Sequence, residues 1–201
     1  LFEYQFSYMY LRYFMWNFVG RQNDNAGTYN ILDGNWISGI SFIDSFRLGN
    51  QKEISEDAKN NKARNTYFFL PLLLGIFGAY YLYGKDPKKF WVILLFFLFT
   101  GLALKVYLNE RPFEPRERDY ALVGSFYVFS ICIGLGALAL IEKIKSKNKS
   151  KILEILTPIL CLIFVPFLMA YQNWDDHDRS NRYTAQSIAK SYLSSIQKDV
   201  G

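Results

Sequence analysis

The chain has 201 residues, 51% of them hydrophobic and 18% aromatic, and a mean hydropathy of +0.01, which suits either a soluble domain or a membrane protein with polar loops. The distribution decides between them. Charge is missing from 66–83, 90–104, 120–141 and 155–174, and each run with its flanks reaches the ~20 residues that a helix needs to cross ~30 Å of hydrocarbon. The formal net charge of +5 comes largely from lysines between these runs, so it bears on orientation and gives no ground for nucleic-acid binding.

The opening LFEYQFSYMYLRYF has no initiator Met and none of the basic start, short apolar core and small-residue cleavage site of a signal peptide. The chain stops on SSIQKDVG within an amphipathic pattern, and both ends are expected to be cuts from a longer protein. Phe2, Phe6, Tyr10, Tyr13, Phe14 and Phe18 recur every three or four residues, an apolar helical stripe. Such a segment is either the end of a preceding span or a helix lying in the interface, and the second reading is favoured for residues 8–19.

GRQNDNAGTYN reads as a loop, because its turn formers break all apolar periodicity. Around it, Arg12, Arg21, Asn23 and Asp24 stand beside Trp16, a mixture suited to polar ligands with a stacking surface. Ile31, Trp36, Ile40, Phe42, Ile43 and Phe46 then form a short amphipathic surface element, and NQKEISEDAKNNKARN a solvated loop. Pro71, Pro158 and Pro166 fall inside predicted spans and imply kinks or freed carbonyls. Gly75 with Gly78, and Gly134 with Gly136, permit close helix approach. Cys132 and Cys161 fall at bilayer depth and read as small buried core residues.

Lysines mark the cytoplasmic side. Lys85, Lys88 and Lys89 lie between the first and second spans, and Lys143, Lys145, Lys147, Lys149 and Lys151 between the third and fourth. Parity then puts 1–65, 109–119 and 172–201 together on the outer, periplasmic face. The expected fold is an all-α polytopic membrane protein with four transmembrane helices, at 66–171, plus outer-face interfacial helices and loops. Lys105, about a turn from the outer end of its span, either snorkels to the headgroups or reaches Glu110.

Two outer stretches carry chemistry. In NERPFEPRERDYALVGSF, Pro112 and Pro115 hold the loop extended, and the helix restarts near Asp119 with an acid at its N-terminus. Arg111, Arg116 and Arg118 are then held near headgroup depth, where planar guanidinium forks suit a phosphate. The alternative is a surface network with Glu110, Glu114, Glu117 and Asp119. In QNWDDHDRSNRYT, a continuing helix puts Asp175 and Asp178 on one face and Asp176 and His177 elsewhere. These residues suit acid–base work, substrate binding or a divalent metal; the alternative is four-apart pairing of Asp175 with Arg179 and Asp178 with Arg182. His177 is the only histidine, which excludes a multi-histidine metal site within these residues. No phosphate-binding glycine loop, paired CxxC or Ser-His-Asp order is present.

YMYLRYFMWNFVGRQND, DGNWISGI, FIDSFRLG, RPFEPRERDYALVGSFY and AYQNWDDHDRS, taken in order, resemble the DUF2723 family of Bacteroidetes multi-pass membrane proteins, related to TMEM-type protein O-mannosyltransferases of animals. The resemblance spans nearly the whole chain. It implies a GT-C glycosyltransferase architecture in the inner membrane, passing a mannose-like sugar from a polyprenyl-phosphate donor to Ser or Thr of a secreted protein at the periplasmic face. It also implies that the catalytic acid lies in an outer loop upstream of Leu1, and that 172–201 begins a C-terminal region continuing beyond this fragment.

On that footing Arg111, Arg116 and Arg118 are candidate donor-phosphate contacts. Asp119, Asp175, Asp176, His177, Asp178, Arg179, Arg21, Asn23 and Asp24 are candidate acceptor or support residues. The implied partners are the lipid-linked sugar donor, the secreted protein acceptor and membrane lipids; no resident cofactor is assigned, and a divalent metal stays open. The competing expectation is a non-catalytic scaffold or assembly subunit of a larger envelope complex, using the aromatic N-terminal surface. A lipid or lipoprotein transporter is a third, less favoured because the spans carry almost no internal charge.

Overall fold

Apolar runs punctuated by Asp-Pro, Asn and lysine-rich turns fold as a chain of helices. The computed structural model describes residues 2–25, 27–111, 118–147 and 150–195. Helix α1 covers 2–18, π-helical over Phe2–Leu11 and α-helical over Arg12–Phe18. Strand β1 (Gly20–Arg21), helices α2 (Ser41–Leu48) and α3 (Glu56–Lys59), and strand β2 (Asn65–Thr66) follow. Then come α4 (Leu70–Lys85), α5 (Pro87–Leu108), α6 (Asp119–Lys147), α7 (151–177) and α8 (Thr184–Ser195). Helix α5 has a π-helical stretch at Phe99–Ala103, and α7 one at Ile163–Phe167.

Among the described residues, three helices are long and apolar enough to cross a membrane: Pro87–Leu108, Tyr120–Ser146 and Lys151–Asp175. The fourth apolar run yields the 16-residue α4, about 24 Å long at the usual helical rise. It starts later than the run itself because Phe68 (φ 54°) and Phe69 (φ 59°) are left-handed and turn the chain. Pro71 therefore sits in the first turn of α4, where its missing N–H costs nothing, and does not kink a span as the sequence suggested. At the other end Asp86 caps α5 by accepting from the Lys89 N–H (3.2 Å), and Pro87 sets its first turn.

Helices α4 and α6 run side by side in the same direction. A Cβ on Gly78 would lie 1.8 Å from the Cys132 carbonyl oxygen, and one on Gly136 2.1 Å from that of Leu74. The backbones meet at these glycines, as small-residue packing in membranes requires. Gly134, by contrast, points into open space. Lys85 pairs with Glu142 at 2.9 Å where the two helices end.

Helix α1 departs from the interfacial reading. Tyr10, Tyr13, Phe14 and Phe18 of its stripe are buried within one end of the bundle, where Phe14 meets Phe129 (4.8 Å between centroids) and Phe97 (5.7 Å), and Phe18 meets Phe129 (4.6 Å), while Phe2 is exposed. Gln5 donates to Asn109 at the end of α5, Tyr10 lies against Gly101, and Phe14 reaches Phe97. Helix α1 therefore runs antiparallel to the second half of α5. The physical reason is cohesion: interlocked aromatic edges and faces offer contacts that lipid tails do not.

Residues 20–66 cover the same end. Gly20 pairs with Thr66 and Arg21 with Asn65 in an antiparallel ribbon. Gly20 has φ +141°, and a Cβ there would lie 2.5 Å from the carbonyl oxygens of Asn65 and Ile37, so only glycine fits. The buried Asp44 carboxylate ties α2 to the chain before it, accepting from the Ser38 N–H (2.8 Å), the Ser38 hydroxyl (2.9 Å) and the Gly39 N–H (2.8 Å).

Candidate functional site

Where α1, the ribbon and α7 meet, the side chains that join them are amides and aromatics. Gln172 on α7 imitates a strand neighbour: its Oε1 accepts from the Thr66 N–H (2.6 Å) and its Nε2 donates to the Thr66 carbonyl (2.9 Å). Asn173 donates to the Tyr67 hydroxyl (2.6 Å) and accepts from the Asn65 amide (3.0 Å). These bonds hold α7 off α1 and leave a cavity of about 280 Å³. Tyr13, Trp16 and Asn17 of α1, Arg21 and Asn65 of the ribbon, Tyr67, and Met169, Asn173 and His177 of α7 line it.

The Arg21 side chain is braced by the ribbon. Its Nε donates to the Ala63 carbonyl (2.9 Å), and its guanidinium lies 5.9 Å from the Trp16 ring centre. His177 Nδ1 sits 3.0 Å from the Asn173 carbonyl, one turn back on α7. Among the described residues the lining ones are amides, aromatics, Met169, Arg21 and His177; the Asp176 side chain, next to His177, lies outside the described residues. Asp175 is exposed and pairs with Lys62 at 2.9 Å, a tie between α7 and the segment before the ribbon. A larger cleft of about 580 Å³ within 22–64 is of different character, with Asp33 and Asp57 in its wall beside Arg64.

No family model, curated protein or solved structure matches the chain.

Arg21 and His177 are thus brought together, and the remaining sequence candidates lie elsewhere. Asn23 is buried in the turn that follows β1, donating to the Leu32 carbonyl (3.2 Å) and Asp33 Oδ1 (3.0 Å) and accepting from the Gly34 N–H (3.0 Å). Asp24 beside it is exposed. Arg12 donates to the Gly34 carbonyl (2.7 Å), as does the Trp16 indole (3.1 Å), so both brace this loop.

Arg111 is exposed past the end of α5. Arg118 is half-exposed, its Nε 3.9 Å from Glu110 Oε1. Arg116 lies outside the described residues, as do Pro112, Glu114, Pro115 and Glu117 and the side chains of Asp119 and Asp176. Lys105 does not snorkel: its Nζ meets Glu110 Oε2 at 2.5 Å, with side chains 1% and 3% exposed. Cys132 is buried and Cys161 half-buried, both as free thiols.

The acidic stretch corrects a second expectation. Helix α7 ends at His177, and Asp178 is extended (φ −68°, ψ 116°), so Asp175 and Asp178 do not share a helical face. The Asp178 carboxylate accepts from the Ser180 N–H (2.9 Å), and that bond, with smaller help from the Ser180 side chain and Arg182, holds its pKa below the usual carboxylate value. Asp175 takes Lys62 rather than Arg179, and Arg179 is exposed. Among the described residues no three His, Cys, Asp or Glu side chains converge as metal ligands.

Asn17, Asn65, Tyr67, Met169 and Asn173 are the lining residues that sequence reasoning missed. Asn65 and Asn173 are 108 positions apart, and no local spacing links them. The one local signal was a pair of adjacent amides, Gln172 and Asn173, at the end of an apolar run.

Proposed function

We propose that the chain is the membrane-embedded part of a glycosyltransferase of the GT-C kind, similar to the DUF2723 proteins. It takes a sugar from a polyprenyl-phosphate donor at the outer membrane face and delivers it to a Ser or Thr hydroxyl of a secreted protein. In this reading α4, α5, α6 and α7 are four spans. The lysine-bearing turns face the cytoplasm, and α1, the ribbon and α8 lie on the periplasmic side of the inner membrane.

The cavity carries the proposal. Arg21 brings a guanidinium to its wall, and a guanidinium gives a phosphate two parallel donors. The amides of Asn17, Asn65 and Asn173 are hydroxyl partners of the kind a sugar needs, and Tyr13, Trp16 and Tyr67 give it apolar faces. Arg21 is therefore the first phosphate contact, with Arg111, Arg116 and Arg118 as outer contacts on the loop between α5 and α6. No residue of this chain is assigned the transferring base.

The competing reading is a non-catalytic scaffold or assembly subunit; Tyr10, Tyr13, Phe14, Trp16 and Phe18 of α1 pack internally, while Phe2 is exposed. The test is binding of a water-soluble hexose 1-phosphate to the purified chain by calorimetry. Arg21→Gln is expected to weaken it about tenfold or more, the ~1.5–3 kcal/mol of a charge-assisted hydrogen bond. Unchanged affinity would remove the basis for a phosphate site here.

A further inference from the structure

Helix α2 (Ser41–Leu48) is amphipathic with its faces exchanged. Asp44 and Leu48, four residues apart, are buried, while Phe42 is 83% and Phe46 87% exposed. Each phenylalanine stands two residues from Asp44, about 200° round the helix, so turning the carboxylate inward turns both rings outward. Two rings left in water forfeit the stabilisation that burial brings.

The rotation of α2 is locked at both ends. Near its start the Asp44 carboxylate takes its three bonds from Ser38 and Gly39. Near its end Arg47 donates to the Trp36 carbonyl (3.0 Å), and its guanidinium lies 3.4 Å from the centre of the Trp36 ring. Rolling the helix to bury the phenylalanines would take these donors from a buried carboxylate and lift the cation from its ring, and both losses are costly. Buried polar bonds thus hold two aromatic side chains facing out.

The depth of α2 follows from the chain beside it. The Ser38 carbonyl accepts from the Phe68 N–H (3.0 Å) and Gly39 lies against the Phe68 ring, so the first turn of α2 is level with the residues that turn into α4. Gly75 lies against Phe129, which puts the start of α4 about 7 Å inside the start of α6. Helix α6 is long and apolar enough over Tyr120–Ser146 to cross a membrane. The level of α2 therefore falls within the about 5–10 Å below the headgroups where amphipathic helices bury their apolar faces. Ile40 and Phe68, both exposed beside that contact, carry the apolar surface toward α4, whose Leu73 and Ile76 are exposed as lipid-facing side chains are.

We infer that α2 lies in the membrane interface and inserts Phe42 and Phe46 into the leaflet at the first turn of α4. Lipid is the occupant of this face because the face sits at acyl-chain depth and adjoins the outer surface of the bundle. The interfacial place expected for residues 8–19 passes to α2, and the two rings hold the 20–66 segment, with its ribbon, at a fixed level on the bundle. The inference needs α6 to cross a bilayer and draws nothing from the activity proposed above.

The test is photochemical. p-Benzoylphenylalanine is placed in turn at positions 42, 46, 56 and 99 of the full chain, which is reconstituted in phosphatidylcholine nanodiscs and irradiated. Mass spectrometry of the peptides identifies what each ring has captured. Phe42 and Phe46 are exposed, so the probe displaces no packed group; Phe99, exposed within α5, is the lipid-facing reference, and Glu56, exposed on α3, the solvent-facing one. Acyl-chain adducts of phosphatidylcholine are expected at positions 42 and 46 in about fivefold or greater excess over position 56.

Adducts at 42 and 46 no more abundant than at 56 overturn the insertion. Crosslinks to a second copy of the chain in place of lipid overturn lipid as the occupant. Absence of lipid adducts at position 99 overturns the bilayer placement and the inference with it. Hexose 1-phosphate binding is measured apart from all of these, so this inference and the reading of the Arg21 cavity fail separately.

Discussion

The buried pair at the end of α5 allows a quantitative test. Lys105 and Glu110 bond at 2.5 Å with side chains 1% and 3% exposed, while Arg118, 35% exposed, approaches the other Glu110 oxygen only to 3.9 Å. Removing one partner of a buried pair strands the other charge, at a cost of about 3–5 kcal/mol, whereas replacing both by apolar groups is often neutral. Lys105→Met is thus expected to destabilise by roughly 3–5 kcal/mol, and Arg118→Ala by under ~1 kcal/mol, the value of a solvent-screened contact. The double change Lys105→Met with Glu110→Met should return to within about 2 kcal/mol of the wild type, giving a coupling of at least ~2 kcal/mol. The assay is reversible unfolding in mixed micelles titrated with dodecyl sulfate, followed by tryptophan fluorescence. A small Lys105→Met effect that adds simply to that of Glu110→Met would refute the buried pair and restore the snorkelling lysine.

Three further outcomes follow from the packing. Gly78→Ala forces α4 from α6 and should cost about 1–3 kcal/mol in the same titration, while Gly134→Ala, facing open space, should be near neutral. Gln172→Ala leaves the Thr66 N–H and carbonyl without their side-chain partners, and amide exchange at Thr66 should accelerate by an amount equivalent to about 1–3 kcal/mol; unchanged exchange would mean the ribbon holds without α7. The Asp178 carboxyl has a lowered pKa in the folded chain. Its contribution to the turn is present above the ordinary carboxylate pKa and is lost as pH falls through the lowered folded value. Exchange at the Ser180 amide should therefore depart from its intrinsic acid dependence in that window, and Asp178→Asn should remove the departure.

The bundle was legible in the sequence wherever one term dominates. The charge-free runs at 90–104, 120–141 and 155–174 fall within α5, α6 and α7, because unpaired charge is intolerable at bilayer depth. The entry to α4 was hidden: Phe68 and Phe69 take left-handed turns without the Gly or Asn that ordinarily announces one. Helix α1 was misplaced because an aromatic stripe is the same whether it meets lipid or other rings. In the acidic stretch the four-apart spacing of Asp175 and Arg179 pointed to a continuing helix, yet Asp178 bonds to the Ser180 N–H and Asp175 to Lys62. Arg21 and His177 were visible as candidates, but not as neighbours, since the amides that bring them together are joined only by the fold.

These departures from the sequence reading have one structural consequence. Because the chain turns at Phe68 and Phe69, α4 begins about 7 Å inside the start of α6 rather than level with it: Gly75 lies against Phe129. The ribbon and the end of α1 meet the chain just before the first turn of α4, where the Tyr67 N–H donates to the Val19 carbonyl and the Phe68 N–H to the Ser38 carbonyl, so main-chain polar groups lie beside the bundle. Backbone of that kind is tolerated in a membrane protein only where partners satisfy it; Gln172 bonds both the Thr66 N–H and its carbonyl, and Asn65 bonds the Arg21 N–H and the Ala63 carbonyl. Asn65 also lines the cavity, as does Asn173, which accepts from it. Lengthening α4 upward by one turn, through helix-forming substitutions at Phe68 and Phe69, is therefore expected to close the cavity and abolish hexose 1-phosphate binding even with Arg21 intact. Calorimetry on a folded variant of this kind that still binds the sugar phosphate would show that the short helix and the cavity are independent.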